Sequence, residues 1–289
     1  MLCLERFSFP DADREFDLLH DDYRGKMTAF SSYYPFGVLS RGGALTLEFE
    51  PVTVLSGSNG CGKTTALNVM AEALGLARDA AYNRTEFFGA YIAACRWQTR
   101  GPVPAGSRIV TSDDVFDFML ELRYINDGLD QRRGELTAQY WQDRNAGFRV
   151  TSLDDYERLK QVNRARRMTP SKYLKARMMQ NIRTQSNGES AAFYFESRME
   201  DGLLLMLDEP ENSLSPARQR ALADAIVDKA RFFGCQFVIA THSPYLMAMR
   251  GAKVYDMDDV PVRAKRWTEL PAVREAYAFF KEHADAFEK

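Results

Sequence analysis

An α/β fold, with a mixed and largely buried sheet and a helical lobe inserted into it, is what the sequence predicts. Short apolar, β-rich runs alternate with helical patterns at both ends of the chain, the order that builds a sheet covered by helices. The middle of the chain reads as mostly helix. The 289 residues are 45% hydrophobic and 27% charged, the balance of an ordinary folded chain with enough apolar side chain for a sizeable core.

Strands are expected at 44–49, 52–56, 108–112, 203–207, 236–241 and 253–255, most of them short and apolar as buried strands should be. Helices are expected at 63–76, 115–125, 153–166, 171–183, 216–233 and 272–288. In the fifth, Ala221, Leu222, Ala225, Ile226 and Ala230 fall at helical spacing and mark one buried face. No internal repeat and no low-complexity linker interrupts the pattern. The chain therefore reads as one domain over 1–289, with an α/β core from 1–112 and 184–289 and a lobe from 113–183.

Composition narrows the function classes. Thirty-eight Lys and Arg against 40 Asp and Glu leave a net charge of -2, so nothing global attracts nucleic acid or an anionic membrane. Purely apolar runs such as 203–207 are far short of a bilayer span, and the first residues lack the basic stretch and apolar core of a secretory signal. The expectation is a cytoplasmic protein with no membrane anchor. Cys3, Cys61, Cys95 and Cys235 are widely separated and form no C-x-x-C pair, which suggests neither a disulfide framework nor a zinc site. Charge is uneven, however: over 132–183, 13 Lys and Arg face five Asp and Glu, a net +8. That lobe reads as a surface for a DNA or RNA backbone, or else as a solvated helical face or one that pairs with the acidic cluster Asp11, Asp13, Glu15, Asp17, Asp21 and Asp22.

The chemistry concentrates in three places. Gly57, Ser58, Asn59, Gly60, Cys61, Gly62, Lys63 and Thr64 match G-x-x-x-x-G-K-[ST], after an apolar strand and before a helical pattern. Glycines let backbone N–H groups curl around phosphate oxygens, and the helix N-terminus adds its dipole. Lys63 supplies a cation for the β- and γ-phosphates, the Thr64 hydroxyl becomes a Mg²⁺ ligand, and Thr65 follows in the phosphate-binding set. The second place is the end of the 203–207 strand, where Asp208 and Glu209 stand together. Buried carboxylates need a compensating cation or proton. Asp208 is therefore assigned to Mg²⁺ and Glu209 to polarising the attacking water as general base. The third is His242, at the end of another apolar strand and 33 positions after Glu209, placed to contact a γ-phosphate.

These runs, with Ser186-Asn187-Gly188-Glu189 before the carboxylate strand and Asn212-Ser213-Leu214-Ser215 after it, resemble the ATP-binding cassette ATPases in motif order and spacing. The glutamate at 189 looks like the non-transporter branch of SMC, RecF and related DNA-maintenance or defence ATPases. The D-E-P-E-N-S-L-S-P and A-T-H-S-P runs look like stand-alone bacterial AAA-family ATPases.

The resemblance implies a P-loop NTPase head that binds ATP and Mg²⁺, hydrolyses ATP slowly, and forms a homodimer with two ATP molecules between head-to-tail copies. Ser186, Gly188 and Glu189 would then serve the nucleotide of the other copy, and 212–215 would form the loop linking the two sites. Asn187 departs from the signature glycine of the family. Gln98 and the junction at Ser112-Asp113 compete for the Q-loop. Tyr33, Tyr34 and Phe36 are candidates to stack on adenine, with core packing as their alternative.

The function expected is an ATP-driven switch or clamp in DNA maintenance or anti-phage defence. A regulatory ATPase gating a separate soluble effector and the nucleotide-binding subunit of a transporter stay open as alternatives. The signature Glu189, Pro216 and the basic lobe speak against the transporter. Ser186 follows Lys63 by only 123 positions with no long heptad array, too little for an SMC-style coiled-coil arm.

Overall fold

The computed structural model describes residues 2–21, 32–147, 156–175 and 187–287. It divides into two compact units, 1–116 with 187–289, and 117–186.

The first unit opens with β1 (Leu4–Ser8) and α1 (Ala12–Asp21), followed by β2 (Thr46–Glu48), β3 (Val52–Ser56), α2 (Lys63–Ala73), α3 (Phe88–Ala94), β4 (Arg96–Thr99) and β5 (Arg108–Thr111). A long helix, α4 (Ser112–Asn145), then carries the chain into the second unit, which also holds α5 (Tyr156–Arg167) and α6 (Pro170–Lys175). The chain returns through α7 (Asn187–Arg198), β6 (Leu204–Asp208), α8 (Pro216–Phe232), β7 (Gln236–Ala240), the short α9 (Pro244–Met247), β8 (Lys253–Asp256), β9 (Arg263–Lys265) and α10 (Pro271–Glu282).

Six strands form the main sheet in the order β5-β6-β7-β3-β8-β9, parallel except for the antiparallel β8–β9 edge. Every residue of β3, β6 and β7 is buried, as apolar strands covered on both faces must be. Leu67, Val69 and Met70 of α2 pack in one core with Leu55, Met206 and Val238 of these strands.

The run expected at 44–49 does not join this sheet. Its central residues become β2 and pair with β1, which pairs on its other side with β4, in a separate three-stranded antiparallel sheet, with Arg6 opposite Glu48 and their side chains bridged at 2.7 Å. The side chain of buried Gln236, at the start of β7, stitches the two sheets together: its Oε1 accepts from the Cys3 and Leu4 amides, both at 2.8 Å, and its Nε2 donates to the Leu4 carbonyl at 2.8 Å.

The expected helix at 115–125 is part of α4, which is far longer. Thr111 and Asp114 cap its start reciprocally: the Thr111 amide and hydroxyl donate to the Asp114 carboxylate at 2.6 and 2.9 Å. Inside the second unit, Tyr140, Ala165 and Tyr173 form a small core. The Tyr140 hydroxyl donates to the Met168 carbonyl at 2.9 Å, and Arg166 donates to the Ala146 carbonyl at 2.7 Å, just past the C-terminus of α4. The predicted helix at 171–183 is described only as far as Lys175, in α6, and its remainder lies outside the described residues. Among the described residues no helix is long and apolar enough to cross a membrane.

Candidate active site

Parallel registers bring the chemistry to one edge. Leu55 of β3 stands opposite Ala240 of β7, and Ala240 stands opposite Asp208 of β6. The three strands therefore deliver the 57–64 loop, Asp208-Glu209 and Thr241-His242 to the same carboxyl end of the sheet, where open α/β sheets bind ligands.

The loop has the backbone its glycines predict. Gly62 sits at φ +104° as the N-cap of α2, and a Cβ there would stand 2.7 Å from Leu39 Cδ2. Gly57 is similarly confined, since a Cβ would come within 2.7 Å of Cys61 Sγ. Lys63, only 5% exposed, turns its ammonium back onto the loop, donating to the Gly57 and Ser58 carbonyls at 2.9 and 3.0 Å. A phosphate cradled by the loop would face the same cation.

Across the edge, the Thr64 hydroxyl donates to Asp208 Oδ1 at 3.1 Å, joining the loop to the carboxylate strand 144 residues away in sequence. Burial is the largest influence on Asp208, which is 7% exposed, and pushes its carboxyl up to about 6. The Thr64 bond opposes that rise and the negative charge of Glu209 adds to it. A hydroxyl and a buried carboxylate whose charge has little compensation make a donor set suited to Mg²⁺, which takes one or two protein oxygens and leaves its other positions to water and phosphate. Consistent with so sparse a set, no cluster of three or more His, Cys, Asp or Glu able to hold a metal occurs among the described residues.

Glu209 adopts a left-handed backbone, φ +48°, with its amide donating to the Ala240 carbonyl at 2.8 Å. A non-glycine residue in that region costs about 1 kcal/mol or more, and such strain gathers at functional positions. The turn sends the carboxylate toward His242, whose Nε2 lies 3.6 Å from Oε1, while Asn212 donates to Oε2 at 3.0 Å. Gly60, Gly62, Lys63, Thr64, Thr65, Glu209 and His242 share one cavity of about 580 Å³ with Asn59 and Val38. That volume is within the usual range for a small-ligand site.

Sequence reasoning missed four supporting residues. Glu211 Oε1 accepts from the His242 and Ser243 amides at 2.6 and 3.2 Å, tying the carboxylate loop to the histidine loop. Gln219 accepts from the Ser243 hydroxyl at 2.7 Å. Asp258 accepts from both the amide and the hydroxyl of Ser58 at 2.7 Å, bracing the first turn of the phosphate loop. Glu15 braces the segment beside that loop from α1. Only Glu211 had a local signal, as the third acid of D-E-P-E.

Other expectations fall elsewhere. Gln98 is an exposed residue of β4 opposite Arg6, away from the loop, and the chain enters α4 directly at Ser112 beside the end of β6. Tyr33, Tyr34 and Phe36 pack on Phe87, Phe88 and Tyr91 respectively, the packing role that the sequence offers for them. Ser186 lies outside the described residues. Gly188 and Glu189 open α7, and their side chains are likewise outside the description. Within 212–215, Ser213 takes φ +68° and the Leu214 amide donates to the Glu211 carbonyl at 2.9 Å.

Residues 181–248, which include β6, β7 and the two motif runs that follow them, match the family described as "AAA domain, putative AbiEii toxin, Type IV TA system". No curated protein matches the chain. Similar solved structures include the Smc head domain of Pyrococcus furiosus with an extended coiled coil, bound to the C-terminal domain of ScpA, at 12% identity over 98% of this chain and 100% of that one, TM-score 0.46. An Smc head bound to the C-winged helix domain of ScpA matches at 15% identity over 91% and 97%, TM-score 0.44. A dimeric ATP-binding cassette in a post-hydrolysis state, bound to ADP and phosphate, matches at 11% identity over 78% and 90%, TM-score 0.37. Likeness this distant says nothing of function.

Proposed function

Starting from an ATPase head of the ABC/AAA type, the reading that the sheet, the phosphate loop and the match over 181–248 support, we propose that this chain binds ATP with Mg²⁺ and hydrolyses it. One observation carries the proposal: the Thr64 hydroxyl and Asp208 carboxylate meet at 3.1 Å beside a cavity that also holds Lys63, Glu209 and His242. Magnesium held by Thr64 and Asp208 would draw charge from the phosphates and raise their electrophilicity. The 57–64 amides and Lys63 bind and orient the triphosphate. Glu209 accepts a proton from the attacking water, and His242, held by its backbone to Glu211, steadies the γ-phosphate side of the cavity.

The test is Glu209→Gln. General-base removal lowers turnover by about a hundredfold or more, while binding of a fluorescent ATP analogue persists. Hydrolysis at the wild-type rate by this variant would overturn the assignment.

The finer reading is an ATP-driven clamp or switch, working in the cytoplasm, in which two copies close around two ATP molecules. The resemblance to cassette ATPases and the motif order support it. Glu209→Gln should then double in mass on adding ATP and Mg²⁺, and a monomer under saturating nucleotide would exclude it. The +8 charge over 132–183 supports DNA or RNA as the load. Even so, Arg132, Arg133, Arg144 and Arg166 already bond within the lobe, to Glu135, Asp130, Tyr140 and the Ala146 carbonyl. Binding of the closed form to a duplex should weaken steeply with salt. Recovery of a soluble effector protein in place of nucleic acid would favour the regulatory alternative.

A further inference from the structure

Residues 34–41 run beside the phosphate loop, and they are held there by a side chain more than twenty positions earlier in the sequence. Glu15 of α1 is 5% exposed, and its Oε2 accepts from the Gly37 amide at 2.8 Å and the Ser40 hydroxyl at 2.9 Å. Gly37 turns at φ +76° between these contacts and the rest of the segment. At its start, the Tyr34 hydroxyl donates to Thr65 Oγ1 at 3.2 Å, the Tyr34 carbonyl accepts from the Thr85 hydroxyl, and the Phe36 ring meets Tyr91 edge-on. At its far end, Leu39 and Val38 press on Gly62, close enough that no Cβ fits there.

Val38 then occupies a telling position. It lines the 580 Å³ cavity with Lys63, Thr64, Glu209 and His242, and also a second cavity of about 170 Å³ with Arg41, Leu45, Ser58 and Asp258. Val38, Asn59 and Gly60 line both cavities, and of these only Val38 lies outside the phosphate loop, so it borders the passage from one to the other.

We propose that the 34–41 segment is a strap forming the nucleoside-side wall of the phosphate site, and that Glu15 is a positioning residue holding it in place. The proposal rests on the nucleotide reading above. The strap needs acceptor oxygens rather than charge: burial pushes the Glu15 carboxyl above its usual range, and both of its donors are neutral. It packs on the loop through Leu39 and Val38 and on α2 through Tyr34, while Gly37 and Ser40 are held from α1, outside the six-stranded sheet, so Glu15 can be altered without touching Lys63, Thr64 or Asp208.

The experiment compares ATP with inorganic tripolyphosphate, which fills the phosphate loop but has no nucleoside. Binding of each with Mg²⁺ is measured by calorimetry for the wild type, Glu15→Ala, Glu15→Gln and Val38→Ala. Loss of the wall should weaken ATP about tenfold in Glu15→Ala and severalfold in Val38→Ala, with tripolyphosphate within about twofold of wild type. Glu15→Gln, whose amide oxygen keeps both bonds, should bind ATP nearly as wild type. Equal losses for ATP and tripolyphosphate would make the segment a mere prop for the loop and overturn the proposal, as would unchanged ATP binding in both Val38→Ala and Glu15→Ala. Should Glu15→Ala not fold, Val38→Ala, altering a half-buried side chain at the cavity edge, decides the matter alone. A wild type that binds neither ligand would refute the nucleotide reading itself, an outcome separate from any difference among variants.

Discussion

Replacing Asp208 by asparagine should make the metal-free protein more stable above pH 6, although it removes a central site residue. The carboxyl is raised from an ordinary 3.8 to about 6, chiefly by burial. A raised acid holds its proton more tightly in the folded chain than in the unfolded one, so stability falls as pH climbs from about 4 to about 6 and is flat beyond. The shift amounts to about 3 kcal/mol of strain once the group is ionised. Asparagine keeps the oxygen that accepts from Thr64 at 3.1 Å and needs no charge in that setting. Relief of even half the strain would raise the melting temperature by several degrees, at about 2 °C per kcal/mol for a chain of this size. The assay is thermal unfolding by calorimetry at pH 5 and pH 8 with chelator present: the variant's advantage at pH 5, midway through the titration, should be about half of that at pH 8. Repeating it with ATP and Mg²⁺ should reverse the order, because only the carboxylate draws stability from the bound ion. A variant melting below wild type at pH 8 in chelator would show that burial does not dominate Asp208.

Three further outcomes follow from the geometry. Magnesium must displace the proton of Asp208, so Mg²⁺-dependent stabilisation by ATP should weaken as pH falls below about 6, up to tenfold in apparent affinity per unit; a pH-independent titration would separate Asp208 from the ion. Gly62→Ala places a Cβ 2.7 Å from Leu39 at φ +104°, and should cost about 1–3 kcal/mol in urea unfolding and abolish tight nucleotide binding. Glu211→Ala releases the His242 and Ser243 amides, and should cut turnover about tenfold while leaving the ATP dissociation constant within about twofold; equal loss of affinity and turnover would mean that the loop as a whole has moved.

The parts of the fold that were legible are those in which local pattern suffices. β3, β6 and β7 are five-residue runs buried on both faces, and each abuts a motif, so strand and chemistry located one another. β1 and β4 were missed because each is short and alternates imperfectly. They pair across about ninety residues of sequence, with Gln236 tying β1 to a third distant strand. The extent of α4 was hidden by Gly128 and Gly134 and by the more polar stretch past Ile125, where pairs such as Arg132–Glu135 and Arg133–Asp130 line the helix. Tyr33, Tyr34 and Phe36 show another limit: an aromatic near a nucleotide motif can stack on a base or pack in a core, and its ring neighbours, here Phe87, Phe88 and Tyr91, come from distant sequence. Glu15 and Asp258 carry no motif at all. Each acts on a backbone amide brought near by folding, and no spacing rule anticipates that.

The three acids of D-E-P-E show how environment divides labour among like residues. Glu211 accepts two backbone amides through one oxygen and is committed to holding the histidine loop. Asp208 accepts one hydroxyl, lies almost wholly buried, and keeps its remaining lone pairs beside Thr64, an arrangement that favours a cation over a proton once one is offered. Glu209 alone combines a third of its side chain exposed to the cavity, a left-handed backbone that swings it off the strand line, and a side-chain amide donor behind it. Water can reach it, and Asn212 steadies it without occupying both oxygens. Of the three, Glu209 is the one that lines the cavity, and its bond from Asn212 leaves the other oxygen open, which is what the proposed general base requires. Exchanging charge for amide at each position in turn should therefore separate the roles: metal dependence lost at Asp208, turnover lost with binding kept at Glu209, and His242 orientation weakened at Glu211.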